Sequence, residues 1–84
     1  MKEQIETVRK YLGAMKLEKT EDGYYVRYRK SEKNKAMLDD IFQYEDIMEE
    51  NGWKRINDFE ITITEKEFNR MHKLYMNTLY NRSI

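Results

Sequence analysis

Cysteine and proline are absent from the 84 residues, glycine occurs three times and histidine once. The missing thiols exclude disulfides, thiolate metal sites and cysteine nucleophiles. Gly13, Gly23 and Gly52 each fall at the boundary of an element, so none belongs to a phosphate-cradling loop. Serine occurs only as Ser31 and Ser83, and neither stands in the context of a nucleophile elbow. No apolar run approaches the ~18 residues needed to span a bilayer. The opening Met1-Lys2-Glu3-Gln4-Ile5-Glu6 mixes acid and base, unlike a secretory leader, so the expected address is the cytoplasm and the Asn81-Arg82-Ser83 sequon is read as a chance match.

Against these absences, 39% of the residues are hydrophobic and 38% charged, with seven Tyr, three Phe and one Trp. Disordered chains are poor in such aromatics, so the composition indicates a folded domain with a heavily charged surface. At this length one core is the expectation, with residues 1–84 forming a single domain of thin stability margin. The abundance of Lys, Ile, Asn and Tyr beside scarce Gly, Ala and Pro matches AT-rich codon usage. A bacterial, phage or plasmid source is therefore expected.

Ile5, Val8 and Leu12 share one helical face, and Gly13 supplies a C-terminal cap, predicting a helix over 2–12. Residues 15–30 read as a hairpin, because two alternating runs flank Glu21-Asp22-Gly23. Ser31 and Asn34 are candidate caps for a helix over about 35–50, with Met37, Ile41, Tyr44 and Met48 on its inner stripe, widened by Leu38, Phe42 and Ile47. Asn51-Gly52 ends that helix, and Trp53 to Asp58 reads as a connection. Phe59 to Ile63 alternates with β-branched residues and reads as a strand, and Thr64 with Glu67 forms a capping box. A last helix over 65–81 follows, with Phe68, Met71, His72, Tyr75 and Leu79 on its apolar face. His72 is expected there as a buried, hydrogen-bonded structural histidine. Leu74, Met76 and Tyr80 widen the face and suggest a homodimer contact. The predicted class is α+β in the order α-β-β-α-β-α, a small three-stranded, mostly antiparallel sheet packed against helices.

The formal net charge of zero hides a segregation: Asp39, Asp40, Glu45, Asp46, Glu49 and Glu50 occupy a stretch with no base, whereas Arg27, Arg29, Lys30, Lys33 and Lys35 face only Glu32. On a continuous helix Asp39, Asp46 and Glu50 project away from the core, with Glu49 beside them. A solvated face that keeps the protein soluble is the bland reading of those acids. The functional one is an acidic docking surface for a larger basic protein, which clustered carboxylates would steer to it. The acids lack the Asp/Asn-Gly pattern and terminal Glu of a calcium loop. No metal, cofactor or catalytic group is expected.

The alternative is nucleic-acid binding by the aromatic and basic strand, through Tyr25, Arg27, Arg29, Lys30, Lys33 and Lys35. Cross-strand pairing with Glu18 and Glu60 competes with that use. A structural homo-oligomer is the third reading. The preferred expectation is a non-enzymatic protein-binding module, of the kind phage and mobile elements use to inhibit a host nucleic-acid enzyme or defence nuclease.

Overall fold

The computed structural model describes residues 2–82, with 79–82 described by backbone alone. Leu79 and Tyr80, expected on the last helix's apolar and dimer-contact faces, and the sequon ending at Ser83 therefore lie outside the described side chains. The elements run α1 (Lys2–Leu12), β1 (Lys16–Lys19), β2 (Gly23–Arg27), α2 (Glu32–Ile41), α3 (Glu45–Glu50), β3 (Trp53–Arg55), β4 (Glu60–Thr64) and α4 (Glu65–Arg82). The class is α+β, as the periodicities predict.

Two expectations are corrected. The sheet has four strands among the described residues, in the order β1-β2-β4-β3, with every neighbouring pair antiparallel. The added strand, β3, is three residues long, too short to show an alternation in sequence. It exists because Asn57 and Asp58 turn the chain back: the Asn57 side chain accepts from Phe59 N at 2.9 Å, and Ile56 N donates to Glu60 O at 2.9 Å. The neighbouring strand consequently begins at Glu60 and runs to Thr64, one residue later than expected.

The helix expected over 35–50 is also two helices. It starts early, at Glu32, because the Ser31 hydroxyl accepts from Asn34 N at 3.1 Å. It stops at Ile41, and residues 42–44 form a turn before α3 begins. Electrostatics favours that break. The last turn of α2 holds acids and no base, at the end of a helix where negative charge is disfavoured. A second start places Glu45 and Asp46 in a first turn, where negative charge is stabilising.

The core is formed by one face of the sheet and the helices above it. Leu17, Tyr24, Val26, Ile61 and Ile63 point inward to Val8, Leu38, Phe42, Phe68 and Met71, and all are buried. Tyr24 stacks on Phe68 at a centroid distance of 3.9 Å, and Tyr11 meets Tyr75 edge-on at 5.8 Å, joining α1 to α4. Tyr28 lies just past β2, and its hydroxyl donates to the Leu12 carbonyl at 3.1 Å. Burial pushes its phenol up to about 12. His72 is half-buried, short of the burial expected.

Gly52 combines a left-handed backbone with a close side-chain neighbour. Its φ is +90°, and a Cβ there would lie 2.5 Å from Thr64 Oγ1. Gly13 also has positive φ, +69°, but a Cβ there meets nothing within 4 Å. Gly13→Ala should therefore cost only the backbone strain, about 1 kcal/mol, whereas Gly52→Ala should cost about 2–3 kcal/mol. Denaturant melts of the two variants check this; equal losses would show that the Thr64 contact carries no energy.

Candidate functional site

Two surfaces gather the charged residues singled out by the sequence, and they lie at different places on the sheet. The first is α3, which packs along β3 at the sheet's edge. Its four acids, Glu45, Asp46, Glu49 and Glu50, are all exposed, and none makes a salt bridge among the described residues. Between them Ile47 is 54% exposed, and Tyr44, just before the helix, is 65% exposed. Both had been expected on the inner face of a continuous helix. The break re-phases the turn, so Met48 packs against the core and Tyr44 and Ile47 face outward.

Asp39 separates from this group. It lies on α2, where its carboxylate accepts from Arg55 at 2.8 Å and Lys35 at 3.2 Å. The Arg55 guanidinium foremost, with Lys35, holds its carboxyl below the ordinary carboxylate range. Asp46, Glu49 and Glu50 remain together. Glu49 and Glu50 also line a cleft with Lys66 and Arg70, and Glu45 and Glu49 line another with Lys54 and Arg55, so the freest acid is Asp46.

A buried polar node fixes α3 to the rest of the molecule. The Trp53 indole donates to Glu67 Oε1 at 2.8 Å, Glu67 N donates to Thr64 Oγ1 at 3.2 Å, and Thr64 N donates to the Gly52 carbonyl at 2.9 Å. The expected capping box is therefore half made. Thr64 caps α4, but the Glu67 carboxylate turns to Trp53 and to Arg70 instead of to the Thr64 amide. Glu67 is only 5% exposed, and its partners satisfy the charge that burial would otherwise penalise.

The basic residues divide. Tyr25 sits on the sheet face opposite the core, and its hydroxyl donates to Glu60, with Glu18 opposite it on β1. Two carboxylates thus flank Tyr25, and their negative charge opposes a phosphate backbone there. Lys35 is engaged by Asp39, and Lys33 lies exposed on α2. Arg27, Arg29 and Lys30 are brought together, lining an open groove with Met15 and Phe59. Among the described residues no three His, Cys, Asp or Glu groups are placed to hold a metal ion, and no helix is long and apolar enough to cross a membrane.

The fold and these surfaces define a small α+β domain with an open antiparallel sheet. Comparison with protein-family models, curated proteins and solved structures finds no match for the chain.

The node gives a pH signature. Hydrogen bonding to Arg70, with Trp53 as a second donor, lowers the Glu67 pKa below its ordinary 4.5. A lowered folded-state value means the stabilisation is present above about pH 4.5 and is lost as pH falls through the folded value. Glu67→Gln should cost about 1 kcal/mol at neutral pH and flatten the acid-side loss of stability. Urea melts between pH 3 and pH 7 test this (a range of about four units around the ordinary carboxylate value); an unchanged acid limb would contradict it.

Proposed function

We propose that the chain is a non-enzymatic binding module that docks a larger protein through α3. The observation that carries this reading is the exposed Tyr44 and Ile47 set among acids without ion-pair partners. An apolar centre rimmed by charge of one sign is interface anatomy: the apolar groups supply affinity, and the charges steer and orient the partner.

The partner that fits is a protein with a basic surface, and proteins that grip nucleic acid carry such surfaces. Inhibition of a host nucleic-acid enzyme or defence nuclease, by a cytoplasmic accessory protein of a phage or mobile element, is the concrete form proposed. Occupation of the partner's basic cleft by Glu45, Asp46 and Glu49 would exclude a nucleic-acid backbone by charge and by bulk. The nucleic-acid alternative has less support, because Tyr25 is engaged by Glu60 and Lys35 by Asp39.

Capture from a nuclease-treated lysate of the source cell, followed by affinity measurement on the purified partner, tests this. Ile47→Ala should weaken the complex about tenfold, mostly through faster dissociation. Joint reversal of Glu45, Asp46 and Glu49 to Lys should slow association and invert its salt dependence, with at most a small loss of helical circular dichroism from the first turn of α3. A partner bound equally well by both variants would refute the reading.

A further inference from the structure

The groove lined by Arg27, Arg29 and Lys30 occupies about 640 Å³. Its walls are the half-buried Phe59 and Met15, which is 45% exposed. Two acids also line it, but both are turned to other groups. Glu60 accepts from Tyr25 and Asn57, and Asp58 lies 3.9 Å from Arg55. The three cations make no salt bridge among the described residues. The groove therefore presents positive charge beside apolar surface, the complement of α3 with its acids, Tyr44 and Ile47.

The geometry points to a second copy of this chain as the occupant, with its α3 seated in the groove. This rests on the reading of α3 as a docking surface and adds the receptor. The two surfaces of one molecule do not pair with each other: the acids of α3 and the three groove cations share no salt bridge among the described residues. Glu45 lies by Arg55, but the Glu49–Gly52 end lies by the Gly23–Thr64 end of the central strands, about 13 Å at 3.3 Å per residue from the Arg27–Glu60 end where the groove lies. The contact therefore forms between molecules, head to tail. Each joined pair keeps one free helix and one free groove, so association is open-ended and grows with concentration. Exposed charges supply much of the attraction, so salt weakens it; at physiological ionic strength the screening length is only about 8 Å. Self-association and partner docking then compete for α3, and a basic partner draws the chain out of its own assemblies.

Sedimentation of the full chain at low and high salt tests this, using a helix variant (Glu45→Lys, Asp46→Lys, Glu49→Lys) and a groove variant (Arg27→Glu, Arg29→Glu). The wild type should rise to at least twice the mass of one chain with concentration at low salt, and fall back at high salt. Each variant alone should stay at the mass of one chain, with at most a small loss of helical circular dichroism from the first turn of α3 in the helix variant. Their equimolar mixture should recover association, because a basic helix then meets an acidic groove and an acidic helix a basic one. A wild type that stays single, variants that still associate, or a mixture of folded variants that does not recover each overturns the inference. Oligonucleotide binding that the groove variant loses, with a wild type that stays single, assigns the groove to nucleic acid and overturns it as well. Partner capture that survives in the groove variant but fails in the helix variant leaves the docking reading standing whatever the groove does.

Discussion

The buried carboxylate of Glu67 is the interaction on which the arrangement of the acidic edge depends. It receives the Trp53 indole from β3 and the Arg70 guanidinium from its own helix, while its amide is capped by Thr64 at the end of β4. Thr64 in turn binds the Gly52 carbonyl and leaves no room for a side chain at that residue. Four short contacts thus join the end of α3, the start of β3, the end of β4 and the start of α4. A helix of six residues has little stability of its own, so α3 persists because Met48 packs on the core and the residues that follow its C-terminal end are tied to packed structure.

Those ties let a small domain display charge. Four acids in one short helix repel each other and would favour an unfolded or re-paired state. Met48, Phe42 and Trp53 hold the segment down by apolar burial, with Phe42 edge-on to Trp53 at 6.5 Å. Arg55 covers the Phe42 ring and binds Asp39, so it neutralises an acid of α2 and leaves those of α3 without a salt bridge. The charge separation in the sequence thereby becomes a spatial one, with α3 at the β3 edge and the free cations at the Arg27–Glu60 end.

Much of the fold was legible in the sequence, for reasons tied to particular residues. The period of Ile5, Val8 and Leu12, the Asp22-Gly23 turn, the alternation after Phe59 and the Thr64 cap are local signals, and local signals survive folding. The short strand β3 was not legible, because three residues carry no period and Trp53 to Arg55 becomes a strand only by pairing with β4. The break after Ile41 had a signal that the apolar stripe masked. Asp39-Asp40 followed by Glu45-Asp46 is the charge pattern of a helix end and a new helix start. An apolar stripe carried through the break puts Tyr44 and Ile47 inside. The acids Asp46, Glu49 and Glu50 were located by composition, but Asp39 was counted with them because its partner, Arg55, is distant in sequence. The exposed apolar pair Tyr44 and Ile47 emerges only from tertiary structure.

The most direct test of the account is amide hydrogen exchange across α3 in the wild type and in Trp53→Phe, which keeps an aromatic ring and removes the donor to Glu67. The account predicts faster exchange at Met48, Asn51 and Gly52, with β2 and α1 unchanged. Undisturbed protection in α3, or a uniform loss across the whole domain, would contradict the claim that this node holds the acidic helix in place.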